Sequence, residues 1–191
     1  QNTLSYYFVL VFSIFLPTLL VGAERKESID LQNGEKIFSV SGCASCHVKE
    51  KKPENLSSLK LGGGIKIETA FGRFYAPNIS SDKVFGIGSW TFEEFRTALK
   101  EGVSPTGRNY FPSFPYNSYK LMSDEDILDL FNFMRTLPPS EDPNIKHDIL
   151  FANFLRNFMP LYNARYSFLN TKKQTALGEG EYMVRALGHC S

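Results

Sequence analysis

Cys43-Ala44-Ser45-Cys46-His47 is the stretch from which the rest of this chain is read. Two thiols separated by two residues, followed at once by an imidazole, form the attachment pattern of a c-type haem. The thiols can add to the two vinyl groups of one porphyrin, and the histidine can supply the proximal nitrogen to iron. Two other chemistries share Cys-x-x-Cys. A thioredoxin-like dithiol belongs to a strand–helix context, and no strand pattern precedes Cys43. A structural zinc needs four ligands, commonly a second pair. The remaining candidates, His147, His189 and Cys190, lie far along the chain. The motif therefore reads as haem attachment.

Working outward, the 191 residues are enough for one domain and something more. Their 42% hydrophobic and 14% aromatic content is that of a globular chain rich in flat rings. A net charge of +1 argues against nucleic acid as a partner. The chain opens on Leu4 to Ala23, a run without charge, before Glu24-Arg25-Lys26-Glu27. Small residues at 21 and 23 fit a secretory cleavage site, and the run is just long enough to span a bilayer. Residues 1–23 are thus expected to be a hydrophobic signal peptide or a membrane anchor helix. Either places the remainder outside the cytoplasm, where covalent haem attachment belongs.

Leu31 to Ser41 is expected to be a short helix ending at Gly42, which lets the chain turn into the haem motif. Lys49, Lys51, Lys52, Lys60 and Lys66 form a basic cluster beyond it. It reads either as a solvated face or as a positive rim that steers an acidic redox partner. Ile65 to Glu68 and Phe71 to Tyr75 alternate about a turn and predict a small β-hairpin inserted in a helical domain. Thr91, with Glu94 three residues on, predicts a capped helix over 91–101, with Phe92, Phe95 and Leu99 on one face. Tyr110-Phe111-Pro112-Ser113-Phe114-Pro115-Tyr116 cannot be helical, and its crowded rings suit the wall of a flat apolar cofactor. Ser123 to Thr136 is the strongest helix, capped by Ser123, acidic in its first turn, with Ile127, Leu130, Phe131 and Met134 as its buried stripe. This helix and the one before Gly42 are expected to cross and close the fold.

A sixth iron ligand must come from Met122, Met134, Met159, Met183, His147 or His189. Met134 belongs to a buried stripe and reads as core. Met122 ends a loop that can lie over the haem face, although it can equally act as a hydrophobic staple onto Ile127. Met122 is the preferred ligand.

Taken together, Cys43 to His47, Ile67-Glu68-Thr69-x-Phe71-Gly72, Tyr75-x-x-Asn78-Ile79, Gly86-Ile87-Gly88-x-Trp90-Thr91, Tyr110 to Tyr116 and Met122 to Asp126 resemble a known family. It is that of the membrane-associated diheme cytochromes c, which includes the cytochrome c subunits of periplasmic alcohol and gluconate dehydrogenases. The resemblance implies an all-α, class I cytochrome c-like domain over residues 28–139, with the small β-hairpin as an insertion. It implies haem c held by Cys43 and Cys46, iron bound by His47 and Met122, and a pocket lined by Asn78, Ile79, Trp90, Tyr110, Phe111, Pro112, Phe114, Pro115 and Tyr116. Some relatives carry methionine where this chain has Phe114, which strengthens Met122 here.

Residues 140–175, including His147 in a structural role, resemble the connector between two haem domains. Gly180-Glu181-Tyr182-Met183-Val184 then echoes Gly34-Glu35-Lys36-Ile37-Phe38, and Gly188-His189-Cys190-Ser191 echoes Gly42-Cys43-Ala44 with one residue inserted. Residues 176–191 thus read as the truncated start of a second cytochrome c domain, with Cys190 the first thiol for a second haem. The implied function is one-electron transfer from a periplasmic dehydrogenase toward a terminal oxidase or another cytochrome, possible membrane association included. The alternative is a haem enzyme of the thiosulfate dehydrogenase type, which needs an open or unusual ligand position.

Overall fold

The computed structural model describes residues 28–49, 55–170 and 177–189. Helix α1 (Leu31–Val40) starts where Asp30 accepts hydrogen bonds from the Gln32 and Asn33 amides, at 2.9 and 3.0 Å. These satisfy two of the donors that every helix start leaves open. Gly42, at φ +65°, ends it and begins α2 (Cys43–His47). The hairpin follows as β1 (Lys66–Thr69) and β2 (Gly72–Tyr75), in the register Lys66 to Tyr75 and Thr69 to Gly72. Helix α3 (Phe92–Glu101) carries the expected reciprocal cap between Thr91 and Glu94. The proline-rich loop gives way at Tyr116 to one turn, α4 (Tyr116–Tyr119), and then to α5 (Asp124–Thr136).

The core forms where α1 crosses α5. At the crossing, a Cβ on Gly34 would lie 2.3 Å from the Asp129 carbonyl oxygen and 2.7 Å from the Phe133 Cβ. Only a residue without a side chain lets the two backbones come this close. One turn on, Phe38 packs its ring 5.5 Å from that of Phe133, and Ile37, Phe38, Ile127 and Leu130 are sealed from solvent. Each such side chain contributes about 1.5–3 kcal/mol on burial. Polar groups fix the rotation of the pair. The buried Asp129 carboxylate accepts from the Asp30 amide at 2.8 Å and from Asn33 Nδ2 at 2.9 Å, and Asn33 also donates to Asp126. Helix α3 is tied to the start of α5 by Arg96 and Lys100, both paired with Asp124.

The fold goes beyond the sequence expectation in the segment after Pro139. The domain is not all-α with an isolated hairpin: β3 (Asp148–Ile149), from the connector, pairs with Gly72 and Arg73 and makes a three-stranded antiparallel sheet, β1-β2-β3. Two residues are too few to show an alternating pattern, so sequence alone gives this strand no signal. The connector continues as α6 (Ala152–Asn157) and α7 (Met159–Asn170). The repeat-like segment forms α8 (Glu179–Tyr182), prolonged by a π-helical turn over Met183–Leu187. It packs into the domain before it: Ala186 and Leu187 are buried in the common core, and the Tyr182 hydroxyl donates to Asp126. Residues 1–23, with the signal-or-anchor reading, and Cys190 lie outside the described residues. Among the described residues no helix is long and apolar enough to cross a membrane.

Gly34→Ala is expected to destabilise the domain by about 1–3 kcal/mol through overpacking. Glu35→Ala, on the exposed side of the same helix, should stay within about 0.5 kcal/mol. Urea unfolding of the two variants checks both.

Candidate haem site

The α1–α5 crossing leaves a cavity of about 500 Å³ beside it, within the roughly 300–1,000 Å³ usual for cofactor pockets. Cys43, Cys46 and His47 form one wall because α2 follows α1 directly. Burial pushes the Cys43 thiol up to about 12, while Cys46 is exposed at the mouth. Tyr119 lies beside both thiols, its phenol pushed well above its ordinary value mainly by burial; its hydroxyl donates to the Ser41 carbonyl at 3.2 Å.

The orientation of His47 is set from behind. Its Nδ1 lies 2.7 Å from the Pro77 carbonyl oxygen. A carbonyl has no proton to give, so Nδ1 carries the hydrogen and Nε2 keeps a lone pair. Burial lowers the imidazole's pKa, against an opposing pull from the Pro77 carbonyl, and keeps the ring neutral, as a metal ligand must be. The backbone packs closely behind this pair. Gly63, at φ +73°, donates its amide to the His47 carbonyl at 2.8 Å and lies so near Pro77 that a Cβ there would be 2.4 Å from its carbonyl oxygen.

Asn78, expected on the pocket wall, lines the cavity but has its polar atoms turned into the protein. Its Nδ2 donates to the carbonyls of Ser140 at 2.7 Å and Asp142 at 2.9 Å, and its Oδ1 accepts from the Ser80 amide at 2.9 Å. Its own amide donates to Asn144 Oδ1 at 2.7 Å. Asn78 thus ties the Pro77 loop to the segment after α5.

Ile79, Trp90, Tyr110, Phe111, Phe114 and Pro115 also lie on the cavity wall. Phe114 stands among the rings of Tyr110, Tyr116 and Tyr119, at 5.6, 6.3 and 5.7 Å. Pro112 and Tyr116 are not on the wall. Pro112 is exposed, and Tyr116 turns its hydroxyl to Asn163 Oδ1 at 2.7 Å. Met122 is buried and reaches the cavity from the turn between α4 and α5. Met134 is buried in the core and also reaches the wall. Of the lysines, Lys49 and Lys60 are exposed and Lys66 pairs with Glu68 at 2.8 Å, while Lys51 and Lys52 lie outside the described residues.

Among the wall residues not expected as such, three ionisable ones come from the chain after Pro139. His147 accepts the Tyr75 amide on Nδ1 at 3.2 Å and packs on Phe74. Arg156 stacks on Phe111, and His189 sets its ring edge-on to Tyr119 at 5.9 Å. They come from segments that read as connector and repeat; the two histidines are among the candidate iron ligands, whereas nothing local in the sequence marks Arg156 as part of a pocket. Among the described residues no three His, Cys, Asp or Glu side chains converge as a metal site, so the two thiols gain no partners there for a tetrahedral zinc.

A deep, ring-lined cavity with two thiols and an imidazole on one wall defines a covalent haem protein. The cytochrome c family model matches residues 31–138, and the chain belongs to that family. Its domain binds haem c, and the cavity fits that group in size, in apolar lining and in the tautomer of His47. The chain is 37% identical over 178 residues to a diheme cytochrome c-type protein of Cereibacter sphaeroides, covering 91% of this chain and 58% of that protein. It is 30% identical to the gluconate 2-dehydrogenase cytochrome c subunit of Pantoea cypripedii, covering 94% of this chain and 42% of the relative. It is 29% identical to the cytochrome c subunit of a quinone alcohol dehydrogenase of Gluconacetobacter polyoxogenes, with 94% and 38% covered. The chain thus spans little more than half the length of the first of these and less of the others.

Asn78→Ala removes the hydrogen bonds that its side chain makes to three backbone groups, two of them in buried surroundings. Each costs about 1–3 kcal/mol when unsatisfied, so a loss of several kcal/mol is expected in denaturant unfolding of the haem-loaded protein. A loss below about 1 kcal/mol would show that the tie is not needed.

Proposed function

We propose that this chain is the first haem unit of a longer cytochrome c, passing single electrons from a dehydrogenase to a further carrier on the periplasmic side of the membrane. The observation that carries it is the wall of Cys43, Cys46 and His47 facing an apolar, aromatic cavity, with the His47 tautomer fixed by Pro77. Haem c, when bound, supplies a one-electron ferric–ferrous couple.

The chain's own residues do the rest. Cys43 and Cys46 hold the group by thioether bonds. His47 presents Nε2, and its bond to Pro77 raises the basicity of that nitrogen. Met122 would supply the second protein ligand to the iron, a thioether, which raises the reduction potential. Its amide donates to the Tyr119 carbonyl at 2.9 Å, which anchors its backbone at the end of α4. Phe114 offers no lone pair and serves as a packed wall. Trp90, Phe111 and Phe114 exclude water. The dehydrogenase partner is supported by relatives named as cytochrome subunits of gluconate and alcohol dehydrogenases; these names give no support to the haem-enzyme alternative. A second haem at Cys190 is supported by the relative named as diheme.

Met122→Ala in the full-length protein is expected to abolish the far-red methionine–iron absorption band of one haem and to lower its potential. Truncating a buried methionine also costs about 2–5 kcal/mol, so Met122→His, which restores a ligand without the thioether, separates ligation from folding. An undiminished band in either variant would move the ligand elsewhere.

A further inference from the structure

Arg156 lies in the last turn of α6, in the segment that reads as a connector, yet it reaches the wall of the cavity. Its guanidinium carbon is 4.6 Å from the centroid of Phe111, itself a buried wall residue. Nη1 donates to the Asn109 carbonyl, while Nε is shut off from solvent with no hydrogen-bond partner. Among the described residues no carboxylate forms an ion pair with it. Arg108, His147 and Tyr110 are the ionisable groups whose charges it feels or influences, and none of them is a carboxylate.

A half-buried guanidinium without an anion is unfavourable, and an unpaired buried donor costs about 1–3 kcal/mol. The unpaired Nε shares one edge with Nη2, the edge that takes a carboxylate through two parallel hydrogen bonds. Haem c brings two propionates, its only carboxylates, into a cavity otherwise lined by rings and aliphatic side chains. We propose that Arg156 is a propionate anchor, by which the connector takes part in holding and tuning the haem of the domain before it. This rests on the haem reading of the cavity. Phe111 below and Asn109 beside the guanidinium fix its plane, so the fork is pre-set for the anion. A cation at the haem edge favours the ferrous state, because reduction adds negative charge nearby.

The test is spectroelectrochemical titration of the haem-loaded, full-length protein beside Arg156→Gln and Arg156→Lys, with resonance Raman of the propionate bending modes. Arg156→Gln should lower the potential of one haem by about tenfold in the ferrous–ferric equilibrium, about 59 mV for one electron, and shift one propionate mode. Arg156→Lys keeps the charge without the fork. It should recover most of the potential while the propionate mode stays shifted. Unchanged potentials and modes in a haem-loaded Arg156→Gln would overturn the assignment and leave the haem reading standing. Should Arg156→Gln not fold, an Arg156→Lys protein with the parent's propionate modes overturns it equally. Wild-type protein without covalent haem at Cys43 and Cys46 would overturn both.

Discussion

The close crossing of α1 and α5 at Gly34 is the constraint on which the other features rest. The haem motif follows α1 with only Ser41 and Gly42 between, and Met122 precedes α5 with a single serine between. Bringing the two helix backbones together therefore sets both sides of the cavity at once. Asp129, accepting from the start of α1, fixes how far each helix is rotated. A bulkier residue at 34 would act on the site without touching it, since packed interiors transmit displacement rather than absorb it.

A second layer of control lies behind His47. The Pro77 carbonyl holds the imidazole, Gly63 lets the backbone close on that carbonyl, and Asn78 ties the same loop to the chain after α5. This is the outer-shell arrangement that fixes tautomer and ring orientation in metal sites. All of it is built from backbone groups and one amide side chain, and among the described residues no carboxylate is hydrogen-bonded to the imidazole. The imidazole thus takes its hydrogen-bond partner from a neutral group.

The segment after Pro139 contributes more than its sequence suggests. It adds a strand to the sheet, sets His147 and Arg156 on the cavity wall, and receives the Tyr116 hydroxyl on Asn163. The later helix over 179–187 buries Ala186 and Leu187 in the same core. Over the described residues, the segments that read as connector and as the start of a second domain thus contribute side chains to the same core and to the wall of the same cavity.

Sequence by itself determined what depends on local chemistry. The haem motif, the Thr91–Glu94 capping box, the Ser123 cap, the hairpin and the α5 stripe each act within a few residues, so their signals are contiguous. The aromatic loop was legible as a wall, though not which of its rings face inward: Phe114 does, while Tyr116, two residues on, turns away to Asn163. Tertiary structure alone decided the rest. β3 exists because β2 offers it an unpaired edge. Asn78 is a structural tie because Ser140 and Asp142 arrive beside it from across the chain. Arg156 belongs to the cavity because Phe111 and Asn109 give its guanidinium a face and an acceptor. These contacts join residues 45 or more positions apart, and no local pattern encodes a partner at that distance.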